Sequence, residues 1–347
     1  MATAEVALDA PRTLSAGRFA SRVPAWIVLG VLVFGVPLLL EQTDSQRWSL
    51  AVIYAIVALS LNVLIGYAGQ ISLGHQGFLG VGAFTSAYVV TTQGQPFVVG
   101  VLAGVLVGAL ASVLMGVVAL RVRGLYLALV TLAYGRMAEE ALFNWSIFGA
   151  GSGIQAARPS FLVTDRAFYY ACVAALALVL YLDWRFTRSM AGRAVQALRE
   201  NEQVASSYGI PVARYKLLAF VLAGGFVGLA GSLFAFRTQT VSGIDFNFTL
   251  ALQFVIITVV GGLRSRWGVV VWALVFTLLP DYLSGGSADP FASRVGLVAG
   301  AILLVLILVF RPGGIGQLIR PVTNWLSGGP FKGDADGAVE EGVRGRP

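Results

Sequence analysis

Long apolar runs, separated by short polar ones, set the pattern of this chain. The runs are Pro24–Leu40, Leu50–Gly66, Ile71–Val90, Phe97–Leu120, Leu125–Phe143, Phe168–Trp184, Leu217–Phe236, Leu250–Leu263, Trp267–Leu283 and Val295–Phe310. A helix needs roughly 20 apolar residues to cross a bilayer, and several of these runs are near or below that length. The pattern predicts an all-α polytopic membrane protein of about ten transmembrane helices. The first run is read as an uncleaved helix rather than a signal peptide, because it is long for an h-region and no small-x-small site follows it. Residues 1–23 then form a cytoplasmic tail, 24–320 a transmembrane domain, and 321–347 a disordered cytoplasmic tail rich in glycine and charge. The longest external loop, 144–165, carries glycines and Pro159, which argue against a folded domain of its own.

Orientation follows from the basic residues. With both ends inside and ten spans alternating, eighteen of the 24 Lys and Arg fall in inside segments and five outside, with Arg136 within a span. Shifting the phase by one helix would invert that ratio, so the positive-inside rule places both termini in the cytoplasm.

The longest polar interruption, 185–216, lies on the inside of this arrangement. It holds Arg185, Arg188, Arg193, Arg199, Arg214 and Lys216 against two acids, Glu200 and Glu202. Val195, Leu198 and Val204 recur at near-helical spacing, and no proline occurs between Ala191 and Ser207. The spacing predicts two short surface helices joined near Glu200–Asn201, the second stopped by Gly209 and Pro211. A solvated basic loop that only sets topology is the plainer reading.

A second stretch, Asn62–Phe84, breaks two apolar runs with Gly66, Gly69, Gly74, Gly77, Gly80 and Gly82. Asn62, Tyr67, Gln70, Ser72, His75 and Gln76 sit among the glycines. Polar groups and broken backbone at membrane depth are tolerated only against protein or a water-filled cavity. The stretch therefore lines a substrate pathway or a close helix contact, and residue chemistry alone leaves both open. Two small-residue stripes, Gly100-Gly104-Gly108 and Gly224-Gly228 with Gly231 beside it, read as packing faces. Arg136, Glu139 and Glu140 lie on one span, where Arg136 and Glu140 have the spacing of a pair. They are either a functional intramembrane charge or a pair near the outer boundary.

Composition narrows the function classes. The chain is 57% hydrophobic and 12% charged, about half the charge of a soluble domain. Its net charge of +7 sits mostly in inter-helix loops and forms no nucleic-acid motif. One cysteine, Cys172, and one histidine exclude an intramolecular disulfide and a zinc site of ordinary ligands. There is no phosphate-binding loop, nucleophile elbow or metalloprotease motif. Catalytic chemistry has little to stand on: no catalytic residue, no metal and no cofactor is expected in this chain.

The segments LNVLIGYAGQISLGHQGFLGVGAF, RVRGLYLALVTLAYGRMAEEALFNW, GRAVQALRENEQVASSYGIPVARYKLLAFVLAGGFVGLAGSLFA, VVGGLRSRWGVVVWALVFTLLPDYL and VLILVFRPGGIGQLI resemble, in that order, the permeases of branched-chain amino acid ABC importers, the LivHM type. The resemblance covers roughly residues 50–320. It implies a permease core like that of the vitamin B12-type importers, in a bacterial inner membrane. It implies two cytoplasmic ABC ATPase subunits that bind the ATP, a homologous second permease subunit, and an extracytoplasmic substrate-binding protein, with lipid around the helices and no nucleic acid. The central segment would dock on the ATPase through Arg193, Arg199, Glu200, Glu202, Ala205 and Gly209. Glu202, Ala205 and Gly209 fall on the family's loose EAA…G pattern, while Ser206 stands where a second alanine or an acid is common. The implied solutes are branched-chain amino acids or a related small polar solute such as urea, an amide or an aromatic acid. A self-sufficient secondary transporter or channel using Arg136, Glu139 and His75 is the alternative.

Overall fold

The computed structural model describes residues 42–122, 124–143, 145 and 153–283. The expected first and last spans, both tails and most of the loop 144–152 lie outside those residues. The other eight apolar runs are all helices. Five are long and apolar enough to cross a membrane by length and composition.

Helix α1, Gln42–Leu61, runs on into a π turn, Asn62–Tyr67. From Ala51 to Tyr67 nearly every side chain is buried. A helix that is apolar all round belongs in the middle of a bundle. Accordingly α1 packs against α5 (Asp165–Arg188), α8 (Val212–Thr238), α9 (Phe248–Gly261) and α10 (Arg266–Leu283).

Helices α2 (His75–Thr91) and α3 (Phe97–Ala119) form a tight trio with α8. The two glycine stripes meet each other there. A Cβ on Gly108 would lie 2.8 Å from the Gly228 Cα, and one on Gly228 would lie 2.5 Å from the Gly104 oxygen. A Cβ on Gly82 of α2 would lie 2.6 Å from the Gly228 oxygen, so three backbones converge at one level. Across the helix from its buried glycines, α3 exposes Leu102, Leu106, Leu110 and Leu114. This inverts the soluble pattern: small residues face protein and large apolar ones face outward, as lipid favours.

Helix α4, Leu125–Met137, ends in a second π turn, Ala138–Leu142. It carries the exposed ion pairs Arg136–Glu139 at 2.9 Å and Arg136–Glu140 at 3.1 Å. The described part of the next loop is pinned rather than independent. Its strand β1, Ile154–Gln155, pairs antiparallel with β2, Thr240–Val241. Arg158 donates to the Phe236 and Arg237 carbonyls at the end of α8, pairs with Asp165 at 2.5 Å and lies over the Phe168 ring.

Within α8 the glycines differ sharply. A Cβ on Gly225 would meet only Val105 Cγ1, at 3.8 Å, whereas one on Gly228 collides with backbone. Gly228→Ala is expected to destabilise the folded chain by about 1–3 kcal/mol, the usual cost of overpacking, and Gly225→Ala to leave it unchanged. Thermal unfolding of both variants in detergent checks the contrast.

Candidate functional site

The polar interruption folds as two short helices, α6 (Met190–Glu200) and α7 (Glu202–Ser207). Ser189 caps α6 by accepting from Gly192 N at 3.1 Å. Asn201 both ends α6 and starts α7, its side-chain oxygen accepting from Gln203 N and Val204 N at 3.0 and 3.1 Å. After α7, Gly209 adopts φ +78°. Ile210 N donates to Ala205 O at 3.2 Å and Gly209 N to Ser206 O at 2.9 Å. That pair of bonds is a Schellman stop, which requires a left-handed residue at Gly209.

The two helices bury Ala194, Val195, Leu198 and Ala205, while Arg193, Gln203, Val204, Ser206, Ser207 and Tyr208 are exposed. Several residues of the expected partner contact also bond within this chain. Glu202 forms an ion pair with the buried Lys216. The Arg199 guanidinium donates to the Gly66 carbonyl. Glu200 is exposed and pairs with Arg264 at 3.2 Å. Arg193 donates to the Arg188 carbonyl at 2.9 Å. Burial first, and then the neighbouring Arg264 charge, lower the pKa of Arg199 from its ordinary value. It remains a cation, since a guanidinium is not deprotonated in proteins.

Between α1 and α2 the chain leaves helical geometry from Ala68 to Gly74. The π turn closes with Ala68 N donating to Val63 O at 3.1 Å and Gln70 N to Leu64 O at 2.9 Å. Leu73 N donates to Thr131 Oγ1 of α4 at 2.9 Å, and that hydroxyl donates to Ala128 O at 3.0 Å. Gly69 has φ +67°, and a Cβ there would lie 2.9 Å from the Arg199 Cγ.

The polar residues of this stretch separate into distinct roles. The Asn62 oxygen accepts from Arg264 N at 2.9 Å, holding the loop between α9 and α10, where Gly262 (φ 100°) and Arg264 (φ 70°) are left-handed. Tyr67 donates to Asp183 Oδ2 at 3.2 Å, and the same oxygen accepts from Arg266 Nε at 2.9 Å. Arg266 also donates to Thr187 Oγ1 at 2.7 Å. His75 lies between two hydroxyls, Ser72 at 3.1 Å from Nδ1 and Ser60 at 3.3 Å from Nε2. The Ser60 proton is already given to Ala223 O at 2.8 Å. Ser60 therefore accepts from Nε2–H, so the neutral ring carries its proton on Nε2 and accepts from Ser72 at Nδ1. Gln70 is half-buried and donates to Ala68 O at 3.4 Å.

Gln76 differs from the rest. It is fully buried, and neither its amide oxygen nor its nitrogen has a partner among the described residues. The amide packs against Gly135 of α4, next to Tyr134, whose hydroxyl is also buried without a partner. The six residues thus have different neighbours within the chain. Asn62 and Tyr67 are tied to the α9–α10 loop and α5, His75 and Ser72 to each other and Ser60, and Gln76 to the α2–α4 contact.

Sequence patterning alone does not point to Asp183, Arg264, Arg266, Thr131 or Ser60. For Asp183 a signal was present: it is a carboxylate inside an otherwise apolar run, and such a charge calls for a partner. Among the described residues no group of three or more His, Cys, Asp or Glu is placed to hold a metal.

Residues 46–309 match the family model for the permease component of branched-chain amino acid transport systems. The match takes in both the broken stretch and the α6–α7 segment. The chain is 32% identical over 337 residues to the high-affinity branched-chain amino acid transport system permease protein LivM of Escherichia coli K12, covering 89% of this chain and 78% of that one. Against the LivM protein of Salmonella typhimurium it is 31% identical over 338 residues, covering 88% and 78%. A shorter likeness, 29% over 126 residues and 35% of this chain, is to the L-arabinose ABC transporter permease protein AraH of Azospirillum brasilense, of which it covers 37%.

The Tyr67–Asp183–Arg266 cluster yields a stability test. Asp183→Ala leaves Arg266 without its carboxylate. The cost is expected to be on the order of 2 kcal/mol, below the 3–5 of a fully buried pair because Arg266 is partly hydrated. Asp183→Asn, which keeps an acceptor for Tyr67, should cost less. Unfolding of the two variants in detergent orders them.

Proposed function

The chain belongs to the family of permease components of branched-chain amino acid transport systems, and on that premise we propose how it works. It is the transmembrane subunit of an ATP-binding-cassette importer for branched-chain amino acids or a related small polar solute. Separate ATPase subunits drive it, two of them on the cytoplasmic side. A second, homologous permease completes the membrane unit, and an extracytoplasmic binding protein delivers the solute. The observation that carries the reading is the family match across 46–309, supported by likeness to LivM over most of the chain. The ten-span arrangement with both termini inside, the tails 1–23 and 321–347, and a core of the vitamin B12-importer kind belong to the same proposal.

The α6–α7 segment is the proposed ATPase contact, with its outward face as the docking surface. Val204 and Tyr208, one helical turn apart, are 50% and 81% exposed, and large apolar side chains on a water-facing segment suit burial against a partner. Arg193 and the Gly209 stop flank that face. Arg199, Glu202 and Ala205 act from within, holding the segment on the bundle.

Of the polar residues in the broken stretch, Gln76 is the proposed solute contact. Two buried amide atoms without protein partners cost about 1–3 kcal/mol per group, which a polar solute or water in an open state offsets. The secondary-transporter alternative loses ground because His75 is buried between Ser60 and Ser72 and Arg136 is paired with two glutamates.

Affinity purification of the tagged permease from its native host tests the main reading. An ATPase subunit is expected to copurify, and solute-dependent ATP hydrolysis to appear when the binding protein is added. Purification without any ATPase would sink it. For Gln76 the expectation is a split: Gln76→Leu leaves thermal stability equal or higher, because an isosteric apolar group removes an unsatisfied amide, while uptake falls. A variant that loses stability and uptake together would instead mark Gln76 as a packing residue.

A further inference from the structure

We infer that the π turn Asn62–Tyr67 is where motion of the α6–α7 segment enters the membrane helices, with Arg199 as the positioning residue that holds it. The inference rests on the permease reading above and adds the place at which force is passed on.

Three separate contacts end on these six residues, and each leads back to α6. Arg199 of α6 donates to the Gly66 carbonyl. Tyr67 donates to Asp183 near the end of α5, and α5 passes into α6 through Ser189 alone. Asn62 holds Arg264 N, and the guanidinium of Arg264 pairs with Glu200, the last residue of α6. Displacement of α6 therefore pulls on the start, the end and the last carbonyls of the turn at once.

The turn is suited to respond. A π turn is a rare, single-turn departure from α geometry, frequent at functional sites. Its last carbonyls have no helical donor, and a cation at a helix C-terminus also meets the negative end of the dipole. Arg199 supplies both the donor and the charge. Its stem lies against Gly69, a left-handed residue within the break. Ser72 lies within the break and bonds His75, which with Gln76 opens α2. A shift of Arg199 is thus handed along a continuous backbone to the unpartnered amide.

The test is solute taken up per ATP hydrolysed, measured with the permease, its ATPase and binding protein in proteoliposomes. R199M keeps the stem and removes the donor and charge; it is expected to lower the ratio by about tenfold, the scale of one charge-assisted hydrogen bond made in one state and not the other. R199K, whose ammonium still donates to the carbonyl, should restore most of it. A merely structural role would lower uptake and hydrolysis in parallel and leave the ratio where it was. An unchanged ratio in R199M overturns the inference and leaves the permease reading standing. Failure of the wild-type chain to assemble with an ATPase overturns the reading and the inference together. If R199M does not insert, Y67F carries the same measurement by deleting one hydroxyl: a lowered ratio supports the inference, and an unchanged ratio overturns it.

Discussion

Backbone hydrogen bonding at the break in the α1–α2 strand of the bundle governs the rest of the arrangement. In a bilayer the N–H and C=O groups released where a helix stops must find partners inside the protein. Here the partners come from far along the chain. Arg199 takes the Gly66 carbonyl, and Thr131 takes the Leu73 amide. Each bond draws an element to the break: α6 through Arg199 and α4 through Thr131. The proposed coupling segment sits where it does because a membrane helix has been opened beneath it.

The same economy explains why so few polar residues of the broken stretch are free for a solute. Asn62 and Tyr67 look like pathway residues when viewed as a list of polar groups among glycines. In place, each satisfies a specific distant group: the strained loop after α9 for Asn62, and Asp183 for Tyr67. His75 is bracketed by two serines, one of which already donates to a carbonyl of α8. Asn62 and Gln70 each keep one unpartnered amide atom, while Gln76 keeps two and lies at the α2–α4 contact.

The glycine stripes show a different constraint. Without a hydrophobic drive between helices in lipid, close backbone approach carries the packing. Gly82, Gly104, Gly108 and Gly228 bring α2, α3 and α8 together, leaving large side chains such as Leu102 and Leu110 on the outside. The trio is closely packed, while the π turns of α1 and α4 and the break that follows Tyr67 depart from α-helical geometry.

The sequence by itself determined the eight apolar helices among the described residues, the two short surface helices and their stop, and the family. Those features rest on local or cumulative signals: runs of apolar residues, the Asn201 cap, Gly209 followed by Pro211, and motifs in order along the chain. It also located the glycine stripes, though not that they face each other. Tertiary structure alone decided which polar residues are spent on the protein itself. Arg199 and Gly66 are 133 residues apart, and Asn62 and Arg264 are 202 apart. No periodicity encodes such a pairing, because a hydrogen bond between distant segments depends on where the backbone brings them. For the same reason a stretch with six polar candidates was legible as important, while the one left with both amide atoms unsatisfied could be told only from its neighbours in space.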